Sequence, residues 1–269
     1  MGRTPSPSRF PAIKNPVTKT DKQSDKMDLA ARDPWQAHGG GLVEMEPGRN
    51  EQFWEVLAFL FLIVPSMGLS FFAIWRGNLS FVLVAVATIL RDLSFVALIA
   101  FFLWRNRESW GRIGWRIKEQ WTEVILGVAL FLPFTFGTGL LDRLFRAMGL
   151  STPATPLPRY LTATGAKQIL LAAVLVSVVA VSEEIIFRGY LIARFTVVTR
   201  STAAAVVLSA FIFSLGHGYE GTAGVATVGV MGLIFALVYL WRESLVAPIV
   251  MHFLQDFIGI VLLPILGHK

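Results

Sequence analysis

The chain is divided into long apolar blocks that carry almost no charge, and these blocks limit what it can fold into. The first block, Val56–Trp75, contains no charged residue, and about 20 apolar residues in an α-helix span the roughly 30 Å hydrocarbon core of a bilayer. A soluble helix would be polar on one face, whereas these blocks are apolar all round. Only 16% of the 269 residues are charged, against about 25% in soluble domains. The sequence therefore predicts an integral membrane protein, with the lipid bilayer as its main partner.

The number of apolar blocks predicts an all-α bundle of about seven transmembrane helices, within a range of six to eight. Residues 1–50 are polar and rich in proline, which predicts a disordered tail. Residues 53–120 would form the N-terminal helices and a basic loop, and residues 121–267 a C-terminal membrane core. The predicted spans are Val56–Trp75, Leu79–Trp104, Val124–Leu141, Gln168–Ala193, Ser201–Tyr219, Gly221–Trp241 and Ser244–Gly267.

Charge and cysteine content exclude several classes of function. The net charge is +6, but it comes without a glycine-rich phosphate loop or a basic–aromatic repeat, so we expect no nucleic-acid partner. The absence of cysteine excludes a thiol nucleophile and every cysteine-based zinc site. The loop 105–118 is rich in arginine, and basic loops stay on the cytoplasmic side, so we expect a cytoplasmic N-terminus.

Six ionisable residues interrupt the apolar blocks of the C-terminal half. At the bilayer centre each costs about 2.5–3.5 kcal/mol even on the most lenient scale. Three of them would together cost roughly as much as the stability of a whole domain. They must therefore pair with one another or face a wet cavity. They are Glu183, Glu184, Arg188, His217, His252 and Asp256.

The spacing of these residues indicates which of them pair. Glu184 and Arg188 are four positions apart with the acid first, the favoured order for a helical ion pair, so a structural role is expected for both. Glu183 is rotated about 100° from its neighbour and has no local partner, which favours a functional role. His252 and Asp256 are also four positions apart and share one helix face.

Two kinds of hydrolytic chemistry fit this set of residues. A glutamate beside a neutral histidine can take a proton from water and activate it towards a carbonyl. One glutamate and two histidines can also hold zinc, with water as the fourth ligand. The spacing alone leaves both open. The pair Arg91 and Asp92, in the middle of the second span, is expected to be structural.

Three short motifs resemble the CAAX-protease and bacteriocin-processing family of intramembrane proteases. Glu183-Glu184-Ile185-Ile186-Phe187-Arg188 resembles the family's EExxxR motif. Phe213-Ser214-Leu215-Gly216-His217 resembles FxxxH, and His252-Phe253-Leu254-Gln255-Asp256 resembles HxxxN with aspartate in place of asparagine. The three occur in the family's order on three separate apolar blocks. The resemblance covers roughly residues 120–265.

The resemblance implies an endopeptidase that acts on prenylated CAAX proteins in some members and on bacterial peptides in others. We accordingly expect a peptide or protein substrate, lipidated in some relatives, and a multi-pass protein of a bacterial plasma membrane. The roles that it implies are a water-activating base at Glu183, assisted by His217, and an oxyanion or metal site at His252 and Asp256. Glu184 and Arg188 would support the site. If a divalent metal such as zinc is present, its ligands would be Glu183, His217, His252 and Asp256.

Two other hypotheses account for the same polar residues. A non-catalytic scaffold or immunity-type protein could bind a peptide or partner in the same cavity, and it would function without Glu183 as a base. A small transporter could use the carboxylates and histidines as a proton relay, although the chain shows no obvious internal repeat.

An ionised Asp256 cannot donate a hydrogen bond to an oxyanion. It must therefore be protonated, orient His252 or contact a metal.

Overall fold

A computed structural model describes residues 47–75, 79–116, 120–152, 163 and 165–267. These residues contain seven apolar helices and no strand, which confirms the predicted all-α bundle. Helix α4 is continuous over Ala166–Thr199, with a π-helical part at Glu184–Leu191. Helix α7 consists of Val246–Asp256, a π-helical part at Phe257–Leu262 and a last turn at Leu263–Gly267. The other helices are α1 (Arg49–Trp75), α2 (Phe81–Arg105), α3 (Gln120–Ala147), α5 (Thr202–Leu215) and α6 (Gly221–Arg242).

Most helix limits differ from the prediction by a few residues, and two differences are informative. Helix α1 begins at Arg49 rather than Val56, because the polar turn before the apolar block is also helical. Helix α5 has 14 residues and is therefore only about 21 Å long, less than a bilayer core, whereas the other six are long enough to span one. The predicted tail lies outside the described residues up to position 46, as does the loop with Pro153, Pro156 and Pro158.

The outer surface of the bundle is apolar. Phe61, Trp121 and Phe136 each expose more than three quarters of their side-chain surface. Large exposed aromatic and aliphatic side chains on several helices would be a severe solubility defect in water. In a bilayer they face lipid tails, so the chain is an integral multi-pass membrane protein.

Helix α4 lies at the centre of the bundle. On one side Leu175 and Val176 pack against Phe81 and Ala85 of α2. Helices α5 and α6 approach each other closely at Gly232, where a Cβ atom would lie 3.2 Å from both Ala210 Cβ and the Phe213 ring. Small residues at such crossings let helix backbones pack tightly in lipid. The result is a rigid arrangement of α4, α5 and α6.

A buried ion-pair network ties α4 to the N-terminal part of the chain. The Arg194 guanidinium donates to Glu55 Oε2 over 3.1 Å and to Glu108 Oε1 over 2.9 Å. Glu55 also accepts hydrogen bonds from Arg105 and Tyr190. The two acids and Arg194 are each at most 8% exposed. This network fixes α1, the end of α2 and the following loop against α4.

Both motif-bearing long helices change their hydrogen-bonding pattern beside the motif. The π-helical part of α4 begins at Glu184, and all eight of its residues are buried. The π-helical part of α7 begins directly after Asp256. Such segments are frequent at functional sites, because they add a residue to a turn and re-aim the side chains around it.

Candidate active site

A cavity of about 830 Å³ lies among the helices and brings the predicted catalytic residues together. Glu183, His217, His252 and Asp256 all line it. Glu184 and Arg188 are fully buried and do not belong to the lining. The sequence motifs on α4, α5 and α7 therefore converge on one space.

His252 is surrounded by carboxylates. Its Nδ1 donates to Glu184 Oε1 over 2.8 Å. Its Nε2 lies 3.5 Å from Asp256 Oδ2 and 3.8 Å from Glu183 Oε2. Carboxylate oxygens only accept hydrogen bonds, so Nδ1 carries the proton bound to Glu184, whereas Asp256 and Glu183 approach Nε2 at ion-pair distances. The His252 ring is thus bonded to Glu184 on one side and faces Asp256 and Glu183 with its other nitrogen.

Glu183 has the least occupied carboxylate in the cavity. Its Oε2 has no hydrogen-bond partner among the described residues, and the nearest cation is His252 at 3.8 Å. The expectation that it has no local partner is consistent with this geometry. This oxygen is buried as well as unbonded, so it is an unused acceptor for a donor that enters the cavity.

Glu184 and Arg188 form a buried pair behind the cavity. Arg188 Nη1 donates to Glu184 Oε1 over 2.8 Å, and neither residue is more than 1% exposed. The guanidinium also lies 4.2 Å from the centre of the Phe213 ring and 5.1 Å from that of Phe235, within the range of cation–π attraction. The pair thereby fixes Glu184 as the partner of the His252 ring.

His217 follows the end of α5, where Phe213 separates it from His252. Its Nδ1 bonds the carbonyl of Phe213 over 3.2 Å, so in a neutral ring Nε2 is the acceptor. The Phe213 ring contacts both imidazoles, at 5.0 Å from His217 and 6.0 Å from His252 between ring centres. The Phe213 ring thus lies near both histidines that line the cavity.

The donor set does not fit a metal ion. Among the residues that the structure describes, no group of three or more His, Asp or Glu side chains lies in an arrangement that could hold one. Both nitrogens of His252 face carboxylate oxygens rather than a shared point between them. A ligating histidine instead presents a lone pair about 2 Å from the metal. The four predicted zinc ligands therefore do not form a metal-binding group among the described residues.

The cavity also contains polar residues that the sequence did not assign to the site. Arg91 and Asp92 line it from α2, and Glu220 and Gln255 line it from the start of α6 and from α7. The expected structural pair exists, since Arg91 Nε donates to Asp92 Oδ1 over 2.8 Å. Its position beside Glu183 and His252 was missed. The available signal was the charge itself, because an ionisable residue in mid-membrane is by default a functional candidate.

Comparison with known proteins agrees with this geometry. Residues 165–258 match the family model described as Rce1-like, type II CAAX prenyl endopeptidase. This segment, about a third of the chain, is similar to the Rce1-like family. It contains all three motifs, so the family expected from the sequence is confirmed over this part of the chain. No curated protein and no solved structure matches the chain.

The Rce1-like match covers α4 to the π-helical part of α7 and leaves out α1, α2 and α3. It is shorter than the 120–265 expected from the motifs. Within it lie the general-base candidate Glu183 and its neighbours His217 and His252. The side of the cavity formed by Arg91 and Asp92 belongs to the part of the chain that the family model does not describe.

Proposed function

We propose that this chain is an intramembrane endopeptidase that hydrolyses a peptide bond near the membrane face with a water activated by Glu183. The observation that carries this proposal is the unbonded Oε2 of Glu183 in a cavity, 3.8 Å from the Nε2 of His252. The Rce1-like match over the same residues supports it. Both features support a base and a hydrogen-bond donor close to each other in this cavity.

The first step follows from the acceptor capacity of Glu183. A water bonded to its Oε2 gives one proton to the carboxylate as the water oxygen forms a bond to the substrate carbonyl carbon. His217, with its Nε2 as acceptor in the neutral ring, assists by orienting this water. The carbonyl π electrons move to the oxygen, which becomes an oxyanion.

His252 is the group that stabilises this oxyanion. Its Nε2 proton, held towards the cavity by the bond from Nδ1 to Glu184, is a fixed donor for charge that develops on the carbonyl oxygen. When the carbon–nitrogen bond breaks, the departing amine takes the proton from Glu183. This regenerates the carboxylate, and the two products contain all the atoms of substrate and water.

The lining of the cavity is consistent with a lipidated peptide as the substrate. Part of it is apolar, including Leu83, Val84, Val176 and Met231, and part is formed by carboxylates and histidines. An apolar chain could lie along the first part and a peptide bond beside the second. The matched family is described as a type II CAAX prenyl endopeptidase, and we propose prenylated CAAX peptides as the substrate class of this chain.

The proposal is tested with purified protein in lipid nanodiscs and two peptides of one sequence. Both end in cysteine, two aliphatic residues and a variable residue, and only one carries a farnesyl group on the cysteine. We expect cleavage of the farnesylated peptide at a single bond, identified by the masses of both fragments. Cleavage of both peptides at equal rates would show that the enzyme does not require a lipid group on its substrate. A bound but intact peptide would favour the non-catalytic scaffold.

Asp256→Asn is expected to reduce kcat/KM by less than about tenfold, because an asparagine carbonyl can still accept the Nε2 proton of His252. The lost charge weakens the orientation of the ring but leaves the base intact. Steady-state cleavage by the variant checks this. Asp142→Asn is the control, since Asp142 lines the same cavity but pairs with Arg146. A hundredfold loss in Asp256→Asn alone would show that the negative charge itself is required.

A further inference from the structure

Asp92 on α2 has a buried carboxylate with one bonded and one unbonded oxygen. It is 2% exposed. Its Oδ1 accepts from Arg91 Nε and lies 2.8 Å from Arg91 Nη2. Its Oδ2 has no hydrogen-bond partner among the described residues. The guanidinium thus holds the carboxylate in one orientation and leaves an acceptor unused.

This residue faces the proposed reaction centre. Asp92 lines the same cavity as Glu183 and His252 and is close enough for the charges of both to act on it. Its bond to Arg91 joins adjacent residues of one helix. An unbonded carboxylate oxygen away from water is costly, which points to a donor that arrives with a ligand.

A peptide that enters this cavity brings such donors. Each main-chain N–H that leaves water for an apolar space needs an acceptor. His252 can donate to a peptide carbonyl, but it offers no acceptor to the N–H groups. Glu183 must keep its free oxygen for water. Asp92 Oδ2 is the remaining buried carboxylate oxygen of the described lining that lacks a partner.

We propose that Asp92 is a substrate-positioning residue whose Oδ2 accepts a hydrogen bond from a main-chain N–H of the bound peptide. This inference rests on the proposed peptidase function. It places one wall of the binding site on α2, outside the segment that matches the Rce1-like family. A peptide held between Asp92 and His252 has its carbonyl and N–H groups both satisfied, with Glu183 beside the bond to be cleaved.

Asp92→Asn tests this with little change of shape. The amide oxygen keeps the contact with Arg91, so the amide NH₂ takes the place of Oδ2 and turns the acceptor into a donor. We expect kcat/KM for the farnesylated peptide to fall about 10- to 100-fold, mainly through KM. Binding of the same peptide, measured by fluorescence anisotropy on the Glu183→Gln background, should weaken by the same factor.

The matched control is Glu123→Gln. Glu123 is 5% exposed, accepts from Arg242 Nε and Nη2 with Oε1 alone, and leaves Oε2 without a partner. It differs from Asp92 in that it does not line the cavity. We expect unchanged KM and peptide binding in this variant. An equal loss in both variants would mean that the effect of Asp92 is structural.

Peptides with a single N-methyl group locate the bond directly. If the methyl group replaces the N–H that donates to Asp92, the methylated peptide should bind the protein with Asp92 intact about 10-fold or more weakly than the unmethylated peptide. The Asp92→Asn variant should bind both peptides almost equally. If no methylated position shows this dependence on Asp92, the inference is wrong. Cleavage with unchanged KM in Asp92→Asn overturns the inference alone. A wild-type protein that neither binds nor cleaves the peptide overturns the proposed function with it.

Discussion

Glu183→Gln is expected to reduce peptide cleavage by about a thousandfold, the middle of the range for loss of a general base. The amide cannot take a proton from water, although its shape is nearly that of the carboxylate. Because Glu183 Oε2 is not bonded to protein, the substitution breaks no hydrogen bond of that oxygen. Single-turnover cleavage of the farnesylated peptide is the measurement, with thermal unfolding of the same preparation to show that the fold is intact.

Glu184→Gln provides the comparison that separates catalysis from stability. Glu184 is adjacent in sequence, but its Oε1 receives bonds from both Arg188 and His252. Removing its charge leaves Arg188 buried without an anion, and breaking one partner of a buried pair costs about 3–5 kcal/mol. We therefore expect Glu184→Gln to unfold at a lower temperature, and Glu183→Gln to unfold near the wild-type value.

Two results would contradict the assignment of the base. If Glu183→Gln retained cleavage within tenfold of wild type, Glu183 would not be the water-activating group. If the biological effect of the protein survived in a variant that no longer cleaves, the scaffold hypothesis would gain over the peptidase. A Glu183→Asp variant adds a graded test, because it keeps the charge but withdraws the carboxylate by one methylene group.

The helices and the three motifs could be predicted from the sequence because both depend on local patterns. Apolar blocks determine the spans, and the four-residue spacing of Glu184 and Arg188 determines their ion pair. The convergence of Glu183, His217 and His252 on one cavity followed from a simple energetic argument. Charged groups that cannot face lipid must face one another or water.

Contacts between distant parts of the chain could not be predicted in this way. Arg194 meets Glu55 across 139 positions, and no periodicity in either segment encodes that pairing. The position of Asp92 beside Glu183 depends on how α2 packs against α4. The π-helical turns depend on tertiary packing as well. The sequence allowed three roles for Asp256: a protonated donor, a residue that orients His252, or a metal contact. The distance of 3.5 Å between Asp256 Oδ2 and His252 Nε2 favours the orienting role.

Arg194→Met is expected to lower the free energy of unfolding by about 3–5 kcal/mol, the usual cost of breaking a buried ion pair. The substitution keeps an unbranched apolar side chain but leaves Glu55 and Glu108 without their shared cation. Glu108 then retains Arg112, whose Nε is 3.3 Å away, and Glu55 retains Arg105 and Tyr190. Equilibrium unfolding in mixed micelles by increasing amounts of a denaturing detergent measures this loss.

A second variant distinguishes lost charge balance from lost packing. Adding Glu108→Gln to Arg194→Met removes one of the two acids that lost Arg194 and should restore part of the stability. Arg146→Met is the control, because the side chains of its pair with Asp142 are 52% and 25% exposed and exposed pairs contribute about 0–1 kcal/mol. Equal losses in Arg194→Met and Arg146→Met would refute the role of the network.

Since Arg194 and Glu183 lie on the same helix, a destabilised variant that stays folded should cleave more slowly, because α4 then holds the base less firmly.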